Sequence, residues 1–511
     1  MPTGRRRLLL VSAALAAAVV VGAQDRASVQ DADLQLQVAN LLYEETRFDE
    51  ALEAFRRASA AATEPSVAVR ARIGVVRTAL RMGQFGLAQR EATSLRESAP
   101  GNPQALSAHA DALWSAGLFD EAEREWRDAL AIEPDLSRGR HGLARSLASQ
   151  GRLDEALNEA QAALRLSPRD GEIHHTVGSI YERMRRYEQA AASYTNYINL
   201  LPNKERSEKA AWSRAQVRFL KSFGEREPLA IDDASRGRLH TVPFDVIDDK
   251  VIVKIRVNGQ RPTDFVLDTG SEQTTISRQV AAARGVRPIT YTLSAGVGEV
   301  GLRGLQLGRI DTFEIGDLKI RNVPVLIKAP ALRNIPKRET ESFAPASLGL
   351  SMTIDYATRE LTIGEALPDE TADFRLPMRH HRLSMVRGLV NESYPAYFVV
   401  DTGGEVISIS RATAEALAVE PPRHIGLRVY GTSGWDRDAF LLPGVNLSFN
   451  DIAYRNYSVV VLNLQAPSVL LGFQVGGIVG HKFLSPYRVS LDLARSEVRM
   501  TRVGGALLPG E

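Results

Sequence analysis

Two periods of apolar and polar residues divide the chain. From about residue 32 the pattern is helical, rich in Ala, Leu, Glu and Arg, and it repeats. Small alanines stand in register at Ala51, Ala88, Ala122, Ala156 and Ala190, spaced 37, 34, 34 and 34 residues apart. Twelve residues after four of them comes a proline: Pro100, Pro134, Pro168 and Pro202. Four residues after three of them comes a large ring, Phe55, Trp126 or Tyr194, and five residues before three of them comes Gly83, Gly117 or Gly151. The spacing predicts helix–turn–helix units in which the alanine lets two helices approach and the ring fills the space beside it. The glycine lies in the turn, and the proline stops the second helix. About five units fit residues 32–223, counting Glu205 to Phe223 as a capping helix.

From Thr241 the period falls to two. Val251-Ile252-Val253-Lys254-Ile255-Arg256-Val257 alternates and is β-branched, and the Asn258-Gly259 that follows marks a hairpin. Phe265-Val266-Leu267 then runs into Asp268-Thr269-Gly270-Ser271. The same grammar returns 133 residues later, where Tyr397-Phe398-Val399-Val400 runs into Asp401-Thr402-Gly403-Gly404. Ile276-Ser277-Arg278 matches Ile409-Ser410-Arg411 at the same offset, a short helix is expected after each, and Pro288 matches Pro421. Leu348-Gly349 and Val479-Gly480 follow the two acids at similar distances, and Ile354-Asp355 mirrors Leu491-Asp492. Residues 241–366 and 372–503 are therefore two copies of one β-rich unit, joined to the helices by a polar, irregular linker at 224–240.

The 34-residue grammar resembles the tetratricopeptide repeat. The duplicated half resembles the retropepsin and pepsin-like aspartic proteases. Together they imply an N-terminal all-α tetratricopeptide superhelix followed by an all-β, duplicated, bilobal aspartic protease fold. Repeats of this kind stack into an array with a concave groove, which serves either as a spacer or as a site for a peptide or protein partner. The protease resemblance makes Asp268 and Asp401 the catalytic pair. Two carboxylates that close share one proton, so that one activates water and the other polarises the scissile carbonyl. Thr269 and Thr402 are expected to bond across the two loops, with Gly270 and Gly403 turning tightly beneath the acids. Gly349 and Gly480 should pack the late strand under each loop. Ser271 and Gly404 are the unequal fourth positions, where glycine removes a hydroxyl that can bond a catalytic carboxylate. The flap candidates are Tyr291 to Gly301, with Gly296 and Gly298, and Val429 to Trp435, with Tyr430 and Gly431. The first lobe looks shortened after Gly349, without the short helix expected at His481 to Leu484. The lobes pair either within one chain or between chains.

Composition narrows the chemistry. Among 511 residues, 63 Lys and Arg stand against 61 Asp and Glu, which does not favour a nucleic-acid partner. The absence of cysteine excludes disulfides, thiol catalysis and cysteine-ligated zinc. No cofactor or metal is called for: Gly296-x-Gly298-x-x-Gly301 lies between strands, outside the context of a dinucleotide motif. The adjacent His380-His381 lacks a helix-face metal spacing and is expected on solvated surface. Arg5, Arg6 and Arg7 precede an apolar run from Leu8 to Val21 and the small residues Gly22-Ala23. Residues 1–23 are expected to be a signal peptide of an exported, periplasmic or extracellular protein, with an uncleaved anchor as the alternative. The expected function is pepstatin-sensitive endopeptidase activity at acidic to mildly acidic pH on a peptide or protein substrate. The alternative is a non-catalytic peptide-binding or assembly protein with a degenerate protease-like domain.

Overall fold

The computed structural model describes residues 31–202, 204–205, 208–298, 302–328, 341–417 and 425–503. The expected signal segment, Gly301 and Pro421 lie outside them. The chain divides into two compact units, residues 1–142 and 143–511.

In the first unit, α1 (31–44) pairs with α2 (Phe48–Ala61), α3 (Pro65–Arg81) with α4 (Phe85–Ser98), and α5 (Pro103–Ser115) with α6 (Phe119–Ile132). Helix α7 (Ser137–Ser149) carries the chain into the second unit. There α8 (Leu153–Leu166), α9 (Gly171–Arg183), α10 (Tyr187–Leu200) and α11 (Glu208–Lys221) follow. The five in-register alanines all lie on second helices and are fully buried, as the close approach of helices requires. Helices α4, α6, α8 and α10 each end two residues before their proline. The turns between paired helices need a left-handed residue, and Gly83, Gly117 and Gly151 supply it at φ of 69°, 79° and 75°. The two units without glycine use the same conformation: Thr46 stands at 62° and Arg185 at 60°. A side chain there costs about 1 kcal/mol, so the turn geometry holds even where its sequence signal is missing.

The β-rich region builds each lobe around its acid strand. Thr263–Leu267 lies between the antiparallel Lys250–Val257 and the parallel Glu341–Phe343, in a sheet of nine strands among the described residues. Tyr394–Val400 lies between the antiparallel Leu383–Val390 and the parallel Gly477–Val479. The segments that mirror each other in sequence pair with each other in space. Ser351–Asp355 runs antiparallel to Tyr487–Asp492, with Met352 opposite Leu491 and Ile354 opposite Val489. One continuous apolar core, from Val251 and Phe265 through Ile354 to Phe398 and Leu491, thus spans both lobes of one chain.

Three expectations are corrected. First, Gly349 is not the partner of Gly480. The strand beside Leu267 ends at Phe343 and the strand beside Val400 ends at Val479, so the residue equivalent to Gly480 is Ala344. A 3-10 helix, Pro345–Leu348, then stands where His481–Leu484 stands in the second lobe, and Gly349 closes it at φ 69°. Counted from Ala344, the first lobe is not shortened and does not lack the helix. Second, the linker is not wholly irregular, since Ala230–Ile231 adds a short strand against Arg321 and Ile320. Third, His380 and His381 are half-buried rather than solvated. His380 Nδ1 is 3.1 Å from Ser384 Oγ, and His381 meets the Phe473 ring edge-on at 5.5 Å. Burial, reinforced by the Arg183 charge, pushes both imidazoles down to about 3.

Candidate active site

Each acid leaves the end of a buried strand, and each is held by the strand that runs parallel to its own. The Asp268 amide donates to the Phe343 carbonyl at 2.9 Å, and the Asp401 amide donates to Val479 at 3.0 Å. The two loops interlock through their threonines. Thr269 Oγ1 donates to the Val400 carbonyl at 2.6 Å and accepts from the Thr402 amide at 3.0 Å. Thr402 Oγ1 donates to Leu267 at 2.7 Å and accepts from the Thr269 amide at 3.1 Å. Both threonines are buried. Four reciprocal bonds away from competing water fix the distance and tilt of one loop against the other.

This lock sets each acid against the glycine of the opposite loop, close enough for the two charges to couple. A Cβ on Gly270 would stand 2.3 Å from Asp401 Cγ, and one on Gly403 would stand 2.9 Å from Asp268 Oδ1. Neither glycine is in the left-handed region. They are needed for the space they leave, not for an unusual backbone angle. Asp401 Oδ1 also accepts from the Gly403 amide at 2.8 Å.

Burial pushes the Asp268 carboxyl up to about 7, the Asp401 charge adds to the rise, and Lys250 and Lys328 oppose it. Asp401 is raised by burial too, but bonds from the Gly403 and Gly404 amides and the Lys250 charge hold it back. The two acids do not share an environment, since Asp401 takes the Gly403 amide bond, but both are raised by burial and the retained proton belongs to the pair.

The fourth positions differ in what lies beside them: a Cβ on Gly404 would stand 3.1 Å from Asp401 Oδ2, so glycine there leaves the carboxyl its space. Ser271 Oγ donates to the Gln273 carbonyl at 2.9 Å, not to an acid. Gly404 lies under the His481–Leu484 helix, whose first amide donates to the Gly404 carbonyl at 2.8 Å, and a Cβ on Gly480 would come within 2.8 Å of Gly404 C. The missing hydroxyl therefore costs the site no bond that Ser271 makes to an acid.

The flap candidates form two hairpin tips that meet. Pro288–Ala295 pairs with Leu302–Ile315 on the first lobe, and Val429–Gly431 pairs with Gly434–Asp436 on the second. The Ser433 amide donates to the Val297 carbonyl at 2.9 Å. Side chains on Gly298 or Gly431 would collide with the opposite tip, at 2.4 Å from Ser433 C and 2.3 Å from Val297 O. Gly296 lies against Thr432. Tyr430 packs edge-on to Trp435 at 5.3 Å within the second tip.

Two supports escaped the sequence reading. Lys250, at the start of a first-lobe strand, donates to the Gly403 carbonyl of the second loop. Arg382, on the second-lobe turn after His381, pairs at 3.1 Å with Glu272, which directly follows Ser271. Glu272 and Glu405 stand at the same 133-residue offset as the acids, which could have flagged the position. Nothing local marks Arg382 or Lys250.

Interlocked threonines, two coupled carboxyls and a duplicated β architecture are the features of an aspartic protease fold. Residues 253–349 match an aspartyl protease family model, and residues 76–137, 113–180 and 171–204 match tetratricopeptide repeat models. The chain thus carries tetratricopeptide repeats and an aspartyl protease domain. Among solved structures, an aspartic proteinase from Irpex lacteus is similar at 12% identity and a TM-score of 0.34, over 54% of this chain and 100% of that one. A thermophilic tetratricopeptide protein of Thermus thermophilus is similar at 20% identity and a TM-score of 0.31, over 36% of this chain and 98% of that one. YrrB, a tetratricopeptide protein with an unusual peptide-binding site, is similar at 18% identity and a TM-score of 0.22, over 35% and 90%. A search of curated proteins finds no match. Among the described residues, no helix is long and apolar enough to cross a membrane.

Proposed function

We propose that this protein is an exported aspartic endopeptidase, in which a water between Asp268 and Asp401 attacks the peptide carbonyl. The observation that carries the reading is the reciprocal threonine lock, which holds two carboxyls together with one of them near 7. The ionised acid takes a proton from water as the oxygen attacks. The protonated acid donates a hydrogen bond to the carbonyl oxygen, stabilising the charge that develops there. The proton gained from water then goes to the leaving amine as the C–N bond breaks. The two tips close over the cleft and limit access of bulk water. The basic start and apolar run at residues 5–21 support export, and the repeats offer a surface for a peptide or protein partner.

Two features that favoured a non-catalytic reading lose their force. The first lobe has its short helix, and Gly404 removes no bond that Ser271 makes to an acid. The test is hydrolysis of a mixed peptide pool by the full chain and by Asp268→Asn and Asp401→Asn. Turnover is expected from the wild type below about pH 7, where the pair retains its shared proton, inhibited by pepstatin and abolished by either substitution. Turnover that survives both substitutions would remove the pair from the mechanism.

A further inference from the structure

Sequence reading makes α11 the cap of the repeat array. Its contacts give it a second attachment. On one side it is bound to the last repeat: Gln216 Nε2 donates to Glu182 of α9 at 2.6 Å, and the Trp212 ring stacks on His175 of α9 at 6.1 Å and 28°. On the other side it packs on the first-lobe flap hairpin. Phe219 and Phe223 form a buried cluster with Leu305, Leu307 and Leu326, and Ile289 packs at its edge. Arg309 Nη1 donates to the Ser222 carbonyl at 3.0 Å, with its guanidinium over the Phe223 ring at 5.5 Å. Nearest the tip, Trp212 Nε1 donates to Thr292 Oγ1 at 3.2 Å.

A cap only has to cover the apolar edge of the last repeat. This helix and the turn after it also bury Phe219 and Phe223 against Leu305 and Leu307 of strand Leu302–Ile315 and Leu326 of the strand beside it, with Ile289 of strand Pro288–Ala295 at the edge. Thr292 lies five residues before Val297, whose carbonyl receives the Ser433 amide of the opposite tip. A two-stranded hairpin is marginal by itself, so its outer half depends on whatever packs against it.

We propose that α11 is a working part of the protease: it braces the first-lobe flap, and Trp212 is a positioning residue that holds strand 288–295 in the register at which the two tips meet. The indole touches neither acid. It acts through Thr292 and sets how readily the flap closes on substrate. This inference rests on the proposed endopeptidase reading for its effect on turnover, but not for the brace itself. Because the Trp212 ring also stacks on His175, a change in the packing of α9 reaches the flap strand through two contacts.

The experiment is hydrogen exchange and peptide kinetics on the full chain, using the peptide that the wild type cleaves fastest from a mixed pool. Trp212→Ala is expected to speed amide exchange across residues 288–295 by about tenfold or more while exchange at 263–267 stays unchanged. KM should rise roughly three- to tenfold, the worth of one hydrogen bond and its packing, with kcat and the pH profile retained. Thr292→Val, which removes only the hydrogen bond, should move both in the same direction by less. Unchanged exchange at 288–295 in both variants overturns the brace. If Trp212→Ala does not fold, Trp212→Phe and Thr292→Val decide: faster exchange supports the brace and unchanged exchange overturns it. A wild type that cleaves nothing defeats the endopeptidase reading, while the exchange data still settle the brace.

Discussion

Replacing Asp268 with Asn should stabilise the protein, and more so as the pH rises. The group titrates near 7 when folded, because burial and the Asp401 charge disfavour its anion, against an ordinary value of 3.8. A carboxyl raised on folding binds its proton more tightly in the native state. Stability is therefore intact below about pH 4 and is lost as pH climbs from there to 7. A rise of about three units corresponds to roughly 4 kcal/mol lost by pH 8, at about 1.4 kcal/mol per unit. Asparagine imitates the protonated acid and never ionises, so the variant escapes this loss. For a unit of this size the gain in midpoint is on the order of 5 °C at pH 8, shrinking toward zero at pH 4. Thermal unfolding of both proteins between pH 4 and 8 makes the measurement. A gap that is flat with pH, or that closes as pH rises, would refute a buried, proton-sharing pair. The same substitution that abolishes turnover thus increases stability, a combination that mere misfolding of the variant cannot produce.

Three further outcomes are expected. In Asp401→Asn, the Asp268 carboxyl should titrate below 7 but still above its ordinary range, since the neighbouring charge is gone and burial remains; carboxyl-resolved NMR reports this. Thr402→Val removes a donor to Leu267 and an acceptor for the Thr269 amide in a buried lock, and should cost about 2–5 kcal/mol in denaturant unfolding, whereas an exposed threonine would cost almost nothing. Gly270→Ala should lower kcat/KM by about 100-fold or more while leaving a cooperative fold, because the new methyl displaces the Asp401 carboxyl. Near-normal turnover in that variant would mean that the two carboxyls do not need to stand so close.

The repeat region was legible because its signals are local. Ala122, Pro134 and Gly117 each act within one turn or one helix contact, so spacing alone carries them. Even there, Thr46 and Arg185 adopt the left-handed turn with no glycine to announce it. Duplication made the acids legible too, since Asp268 and Asp401 sit in matching apolar strands. Matching by residue type failed at Gly349, because the true equivalent of Gly480 is an alanine and only strand pairing identifies it.

The sequence by itself determined the helical period, the duplicated strand-acid-threonine-glycine unit, and so the two residues able to share a proton. Tertiary structure decided the rest. It joined the lobes through Ser351–Asp355 and Tyr487–Asp492, made Gly270 and Gly403 matters of space rather than backbone angle, and gave Asp268 and Asp401 different surroundings. It also set Trp212 against Thr292, 80 residues apart. The physical reason is range. Propensity and period report what a residue does with neighbours a few positions away, whereas desolvation, charge coupling and close packing depend on atoms that only the folded chain brings together.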